Sequence, residues 1–443
     1  MDQGNLENNH INSNMRKVAL TALAGTSIEW YDFFLYGAAA ALIFPTAFFG
    51  EVPPSTALIL SLLTFAAGFI ARPIGGIIFG HFGDKIGRKK TLISALMLMG
   101  ISSTLIGLLP TYAMIGVAAP ILLTLLRFAQ GLAIGGQWGG AMLLVTESAP
   151  SNQRGYYGAF AQAGAPIGVI LANLALIITS ALVSEEFFNT WGWRIPFLAS
   201  AVLIIISMYI QLNLEDTKAF KELAVHRNEQ RTDAVSVIKR SPIIEAIRKY
   251  PKRIILAAGA FLSVQVTFYI LIAFLLAYGV QNANMARDDM LAAVLIASAI
   301  MVPMQFVFSS YSDRHGRRGI FMLGAVLSGL WAFAIFPLVD TGNFLLIVLA
   351  ISGGLIFLAM MYGPQAAFFT ELFSTEVRYS GATLGYQFGA IFGGAFAPTI
   401  AVKLWTELDI FWVSVYIAFA ALLTLLSVMA LTETYQTDLN KTQ

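Results

Sequence analysis

Gly83-Asp84-Lys85-Ile86-Gly87-Arg88-Lys89-Lys90 and Ser312-Asp313-Arg314-His315-Gly316-Arg317-Arg318-Gly319 are two copies of one short basic turn, each following an apolar run long enough to cross a bilayer. Two further echoes keep the same order. Thr146-Glu147 stands ahead of Arg154 as Thr370-Glu371 stands ahead of Arg378, and Asp216-Thr217 is matched by Glu433-Thr434. Three matched positions in sequence imply two parallel six-span repeats around a central site.

The surrounding sequence fits that division. A spanning helix needs about 20 mostly apolar residues, and twelve such runs are found at 19–49, 56–80, 91–109, 117–146, 155–183, 194–212, 253–281, 289–311, 320–338, 343–370, 379–404 and 411–432. The 443 residues are 57% hydrophobic and only 12% charged, with a mean hydropathy of +0.73. Soluble domains carry about 25% charged residues, so a soluble enzyme is not expected and an all-α membrane protein is. With no cysteine there is no disulfide or thiolate metal site. A net charge of +2 gives no reason to expect a nucleic-acid partner.

The polar start runs to Arg16-Lys17, and the first apolar stretch is longer than a signal-peptide core, so it reads as a retained span. With the amino terminus inside, all but five of the 27 basic residues fall on the inner side; the five are Arg72, Arg127, Arg194, Arg287 and Lys403. This asymmetry fixes the orientation and puts both termini in the cytoplasm. The expected organisation is a tail (1–18), a six-helix bundle (19–212), a cytoplasmic linker (213–252), a second bundle (253–432) and a tail (433–443). The linker holds nine Lys/Arg and six Asp/Glu. Lys239 to Lys252, with Ile243, Ile244 and Ile247, suits either a short amphipathic surface helix or a solvated linker.

The stretch from Gly80 through Lys89 resembles the signature loop G-x-x-x-D-(R/K)-x-G-R-(R/K) of the major facilitator superfamily. Ile28-Glu29-Trp30-Tyr31-Asp32-Phe33, Ala71-Arg72-Pro73-Ile74-Gly75, Gly135-Gly136-Gln137-Trp138-Gly139-Gly140 and Trp191-Gly192-Trp193-Arg194-Ile195-Pro196-Phe197 look like its bacterial metabolite:proton symporters, carriers of shikimate, α-ketoglutarate, citrate and proline or betaine. The resemblance implies two six-helix bundles, proton-driven uptake at the bacterial inner membrane, and an inner gate latched by the signature loop (Gly80, Asp84, Lys85, Gly87, Arg88, Lys89). Its second copy (Asp313, Arg314, Gly316, Arg317) starts at Ser309 in place of glycine, so a weaker gate element is expected there. Gln137 stands where the family usually has a glutamate, which departs from any role of that carboxylate.

Glu29 and Asp32 lie about 15 and 20 Å into span 1, on one helical face with Tyr36. An ionised group at mid-bilayer costs about 3 kcal/mol, and two carboxylates on one face repel. All four histidines lie outside the spans, so proton binding falls to the carboxylates. Arg127, at a depth close to that of Glu29 in span 4, is expected to pair with Glu29 or Asp32 and to exchange between that carboxylate and an anionic substrate. The alternative is a permanent ion pair joining two helices. Arg72, about 8 Å from the inner end of span 2, is expected to snorkel to the interface as a gate or structural residue.

Polar and aromatic groups deep in spans are the substrate candidates: Tyr36, Arg127, Gln137, Trp138, Gln162 and Asn173 in the first half, and Gln265, Tyr269, Gln305, Tyr362, Gln365, Tyr386 and Gln387 in the second. About a third are expected to touch substrate, the rest bonding helix to helix. Glycines four apart in spans 4, 5 and 11 predict close helix crossings. The expected activity is symport of a small polar metabolite with a proton as coupling ion. No other cofactor and no metal is expected, and the protein is expected to work as a monomer in the lipid bilayer. An organic acid such as shikimate or a dicarboxylate leads, and a proline or betaine zwitterion is the alternative. The family's osmosensing members end in a long coiled coil, whereas this chain stops about ten residues past span 12, so an osmosensor is not expected. A sensor would need a signalling domain, a channel would not need a coupled carboxylate and arginine, and an ATP-driven pump would need a Gly-Lys-Ser/Thr phosphate loop.

Overall fold

The structure, a computed structural model, describes residues 3–86, 88–135, 142, 145–146, 149–215, 242–374 and 377–435, with the backbone alone at 3–14, 80–86, 88–89, 91–92, 210–215, 242–244 and 379. Among these residues twelve long helices match the twelve apolar runs in order. They are α1 (Gln3–Leu42), α2 (Pro54–Ile86), α3 (Arg88–Leu108), α4 (Ala118–Gly135), α5 (Arg154–Leu182), α6 (Arg194–Glu215), α7 (Pro251–Gln281), α8 (Arg287–His315), α9 (Arg317–Asp340), α10 (Phe344–Glu371), α11 (Arg378–Gly389, Ala390–Ala395 and Ala397–Glu407) and α12 (Ile410–Ala430). Nine are long and apolar enough to span a membrane by themselves, and α6 joins them when the bent helix ahead of it, Glu185–Gly192, is counted in. The polar start of α1 and the short apolar part of α3, Ile93–Leu108, explain why those two are weaker signals.

The sequence sets the helix ends locally. Asn343 accepts the N–H groups of Leu345 and Leu346 to begin α10, and Asp409 accepts that of Phe411 to begin α12. Gly316 separates α8 from α9 at φ +99°, a conformation that suits glycine. Prolines 73, 166, 303, 337 and 364 sit inside helices, as spanning helices tolerate when neighbours satisfy the freed carbonyls. Exposed Ile101, Ile205, Leu330, Phe392 and Phe419 give the outer surface its lipid-facing character.

Within the first half α1 packs on α5 and α6, α2 on α4, and α3 on α6; within the second, α7 packs on α11 and α12, and α9 on α10 and α12. The halves meet where α5 runs against α8 and α10, and α2 against α11. The expected glycine crossings are present. A Cβ on Gly135 would lie 1.9 Å from the backbone oxygen of Arg72, and one on Gly393 would lie 2.8 Å from the Cβ of Gln265. The linker contributes a short helix, Pro242–Lys249, which docks on α11 with Ala246 buried and Ile247 exposed.

Candidate functional site

Helix α1 carries the aromatic run around Asp32 into the middle of the molecule. Asp32 is buried at 2% exposure. Ser200 of α6 donates its hydroxyl to one carboxyl oxygen, Ser103 of α3 lies alongside, and the other oxygen has no hydrogen-bond partner. Glu29, one turn toward the inner end, is half-buried and has an interaction of its own.

Arg127 does not form the expected ion pair with Asp32. Its guanidinium carbon lies 4.1 Å from the ring centre of Phe33, 4.3 Å from that of Tyr36 and 4.7 Å from that of Phe65. The cation is held by ring faces and by one hydrogen bond, Nη1 to Gln130 Oε1 at 3.0 Å. Gln130 in turn donates to Ser103 at 2.7 Å, so polar side chains, not a direct contact, connect Arg127 to the surroundings of Asp32. The reason is geometric. Asp32 turns toward the serines of α3 and α6, while Arg127 fills the gap beside α2 where Gly68 has no side chain; a Cβ there would lie 2.7 Å from Arg127 Nε. Arg127 Nε and Nη2 have no partner. Tyr36 bonds Thr64 at 2.6 Å.

Arg72 departs from expectation as well. It does not snorkel but is 1% exposed, with its guanidinium carbon 4.3 Å from the centre of Phe33, 4.4 Å from Phe69 and 5.3 Å from Trp30. Aromatic faces hold the cation inside the helix bundle.

The second half supplies Tyr269, Tyr362 and Tyr386. Gly394 allows Phe69 and Tyr269 to approach α11, since a Cβ there would lie 2.9 Å from each ring. Short π-helical segments, Ile270–Phe274 and Ala390–Ala395, follow Tyr269 and Gly389, an irregularity often found at functional sites. Between the halves lies a cavity of about 10 Å³, the space of one water, lined by Trp30, Phe34, Ala165, Val264, Gln265, Phe268, Tyr269, Leu358, Tyr362 and Tyr386. Gln265 Nε2 and Gln387 Oε1 are buried without partners.

Other expected substrate groups join the halves. Gln162 donates to Tyr362 O and to Gln365 Oε1, both at 3.3 Å, and Asn173 donates to Leu291 O at 3.2 Å. Gln305 instead stays within the second half, buried against Gly363 of α10. Gln137, Trp138 and Gly87 lie outside the described residues, as do the side chains of Asp84, Lys85, Arg88 and Lys89 and the surroundings of Gly80.

Both ends are closed by contacts across the halves. At the inner end Asp313 accepts the N–H groups of Gly155 and Tyr156, each at 2.8 Å. Arg317 reaches Asp313 at 2.6 Å and Glu371 at 3.1 Å, Arg154 approaches Glu371 at 3.8 Å, and Thr146 meets Thr370 at 3.3 Å. Glu433 accepts the N–H groups of Arg317 and Arg318 at 2.9 and 3.0 Å, and Thr434 bonds Glu371 at 2.8 Å. Burial pushes the Glu433 carboxyl up, but the N–H groups of Arg317, Arg318, Tyr435 and Thr434 outweigh it and hold it below the usual carboxylate range. Arg314 is exposed, and Gly316 leaves room for Glu433, whose Oε2 a Cβ would meet at 2.9 Å. At the outer end Ser180 bonds Asp288 and Arg287, both at 2.8 Å.

Sequence reasoning missed Ser103, Ser200 and Gln130, and it missed the aromatic lining of Trp30, Phe33, Phe34, Phe65, Phe69 and Phe268. The aromatic density of residues 30–36 was the available signal. Arg154 and Glu371 were visible as repeat echoes but not as gate residues. What the arrangement can do chemically is hold an anion against buried guanidinium N–H groups, hold a proton on a carboxyl without an arginine partner, and open at one end when the latches part.

Residues 22–385 match the family profile described as Major Facilitator Superfamily. The chain is 40% identical over 426 residues to the inner membrane metabolite transport protein YhjE of Escherichia coli (strain K12), covering 94% of each. It is 38% identical to the shikimate transporter of the same strain, with 91% of each covered. It is 32% identical to the proline/betaine transporter of Salmonella typhimurium, covering 95% of this chain and 84% of that one. Among solved structures, the proton:xylose symporter XylE bound to 6-bromo-6-deoxy-D-glucose superposes with a TM-score of 0.72 at 18% identity, covering 97% of this chain and 98% of that one. At that identity the likeness speaks for the fold alone.

Proposed function

The chain belongs to the Major Facilitator Superfamily and is a multi-pass membrane transporter, not an enzyme, and from that premise we propose that it imports a small organic acid together with a proton across the bacterial inner membrane. The observation that carries this reading is the buried pair Asp32 and Arg127. They share one polar chain without forming an ion pair, Asp32 keeps one unpartnered oxygen, and Arg127 keeps two unpartnered nitrogens. An unmet buried hydrogen-bonding group costs about 1–3 kcal/mol, and more when charged. A substrate carboxylate meets the free N–H groups of Arg127, and a proton on Asp32 removes the nearby negative charge that would repel that substrate, so each binding event favours the other.

In this reading the substrate is held between the first-half cations and the second-half tyrosines while both latches are shut. Release follows parting of the inner latch at Asp313, Arg317, Glu371 and Arg154. The similarity to a shikimate transporter favours an organic acid as cargo. The test is uptake by the purified protein in liposomes, with labelled shikimate, α-ketoglutarate, citrate and proline, with and without an imposed inward proton gradient. Gradient-dependent accumulation of an acid supports the proposal. Acid uptake indifferent to the gradient overturns the coupling, and uptake of proline alone overturns the substrate class.

A further inference from the structure

Arg72 and Arg127, both buried in the first half, are not one site. Arg72 and Arg127 both lie within 4.3 Å of the centre of Phe33. Arg72 also contacts Trp30, one turn before Phe33, and Arg127 also contacts Tyr36, one turn after it. Phe33 therefore stands between two separate cations, spaced along α1.

Neither is ion-paired to a described carboxylate. Each has an Nε and an Nη2 without a partner, and neither is more than 1% exposed. Asp32 is the fully buried carboxylate nearby, and Ser200 engages it. Among the fully buried groups here two cations stand against one carboxylate, and the balance shifts further toward positive charge when Asp32 takes up a proton. Arg72 also reaches toward the other half. Tyr269, Tyr362 and Tyr386 lie within electrostatic range of its guanidinium, and all three line the central cavity with Trp30. Ring faces and a hydrogen bond with Tyr269 hold the Arg72 guanidinium, and its Nε–H and Nη2–H donors are left for a planar oxygen acceptor.

We propose that Arg72 is a second substrate-binding arginine, so that the transported acid carries two oxygen-rich ends: a carboxylate taken by Arg127, and a second carboxylate or a set of hydroxyls taken by Arg72 beside the tyrosines. This rests on the organic-acid reading above and narrows it. Arg72 is then a specificity residue, because an acid lacking the second end leaves its donors unmet, a loss that sites built to hydrogen-bond a substrate group discriminate strongly.

The experiment is a cycle that removes the arginine and the ligand group separately and together. Dissociation constants are measured on the purified full chain for α-ketoglutarate and 2-oxopentanoate, which has a methyl in place of the distal carboxylate, and for shikimate and 1-cyclohexene-1-carboxylate, which lacks the hydroxyls. In the unaltered protein the two-ended member of at least one pair binds better by at least about tenfold. Arg72→Gln removes that preference while leaving the one-ended acid's affinity within about threefold, and Arg72→Lys retains part of it. A preference that survives Arg72→Gln, or an equal loss for both members of a pair, overturns the proposal. If Arg72→Gln does not fold, Arg72→Lys runs the same cycle, with a reduced preference expected and an unchanged one overturning the assignment. Failure of the organic-acid reading looks different: the unaltered protein then binds neither pair. Arg127→Gln weakens both members of a pair.

Discussion

Gly155, the second residue of α5, donates its backbone N–H to the Asp313 carboxylate at the end of α8, 2.8 Å away in the other half of the molecule. Tyr156 donates to the second oxygen at the same distance. A carboxylate from one repeat thus sits on the positive end of a helix in the other, and Arg317 binds the same carboxyl oxygen as Gly155. The latch involves backbone donors, so opening the inner end exposes N–H groups that water must then satisfy.

Asp313→Ala removes the acceptor and leaves both N–H groups without it, weakening the closed inner end by about 1–3 kcal/mol. The chain has no cysteine, so a single Ala165→Cys in the cavity wall reports access alone. In inside-out vesicles a membrane-impermeant thiol reagent labels this cysteine several-fold faster when Asp313→Ala is added. An unchanged rate would show that the contact does not hold the gate.

Asp32→Asn keeps the size of the side chain and its hydrogen bond with Ser200 while removing proton binding. Accumulation driven by a proton gradient is abolished, and exchange of labelled for unlabelled substrate across equal pH persists in part. Accumulation at the unaltered level in Asp32→Asn would remove this residue from coupling.

The twelve spans and the two repeats were legible because length, hydropathy and basic turns are properties of short segments. Depth was legible too: Asp32, Tyr36, Arg127, Tyr269 and Tyr362 do converge on the centre. Direction was not. Whether Arg127 turns to Asp32 or to the faces of Phe33 and Tyr36 depends on the missing side chain at Gly68 and on serines from α3 and α6, three elements whose packing no local pattern encodes. Arg72 failed for the same reason, since snorkelling describes an isolated helix and Phe69 one turn away gives the cation a nearer partner. The Asp313 gate was seen as a repeated motif, but its acceptor role requires the start of α5 to arrive from the other half.

Glu433 makes a pH prediction whose sign follows from its depressed folded value. A carboxylate of this kind contributes stability that is fully present above the unfolded value of about 4.3 and is lost only as pH falls through the lower folded one. Its contribution to the inner latch is therefore constant between about pH 7.5 and 5.5. Glu433→Gln speeds labelling of Ala165→Cys from the inner face, and the ratio of altered to unaltered rates stays the same at both pH values. A ratio that collapses toward one at the lower pH would mean that the carboxylate titrates in that window and that its backbone hydrogen bonds are weaker than the geometry implies.

Gly68 separates a role in function from a role in folding. A methyl there would lie 2.7 Å from Arg127 Nε and 3.2 Å from its Cζ, and these are the far end of a long side chain, so the guanidinium is displaced and the helices keep their packing. Gly135 on the same α2–α4 interface is the contrast, because its methyl would lie 1.9 Å from the backbone oxygen of Arg72, and neither backbone can yield without separating the helices. Gly135→Ala accordingly lowers thermal stability, by about 1–3 kcal/mol or more as in other overpacked cores. Gly68→Ala leaves the melting temperature within a few degrees of the unaltered value, an effect under about 1 kcal/mol, yet reduces uptake at least about tenfold, the scale of losing one well-placed charged contact. Melting curves and initial uptake rates on the two variants decide the matter. If Gly68→Ala transports normally, the position of Arg127 between Phe33, Tyr36 and Phe65 does not matter to the substrate, and the anion site lies elsewhere.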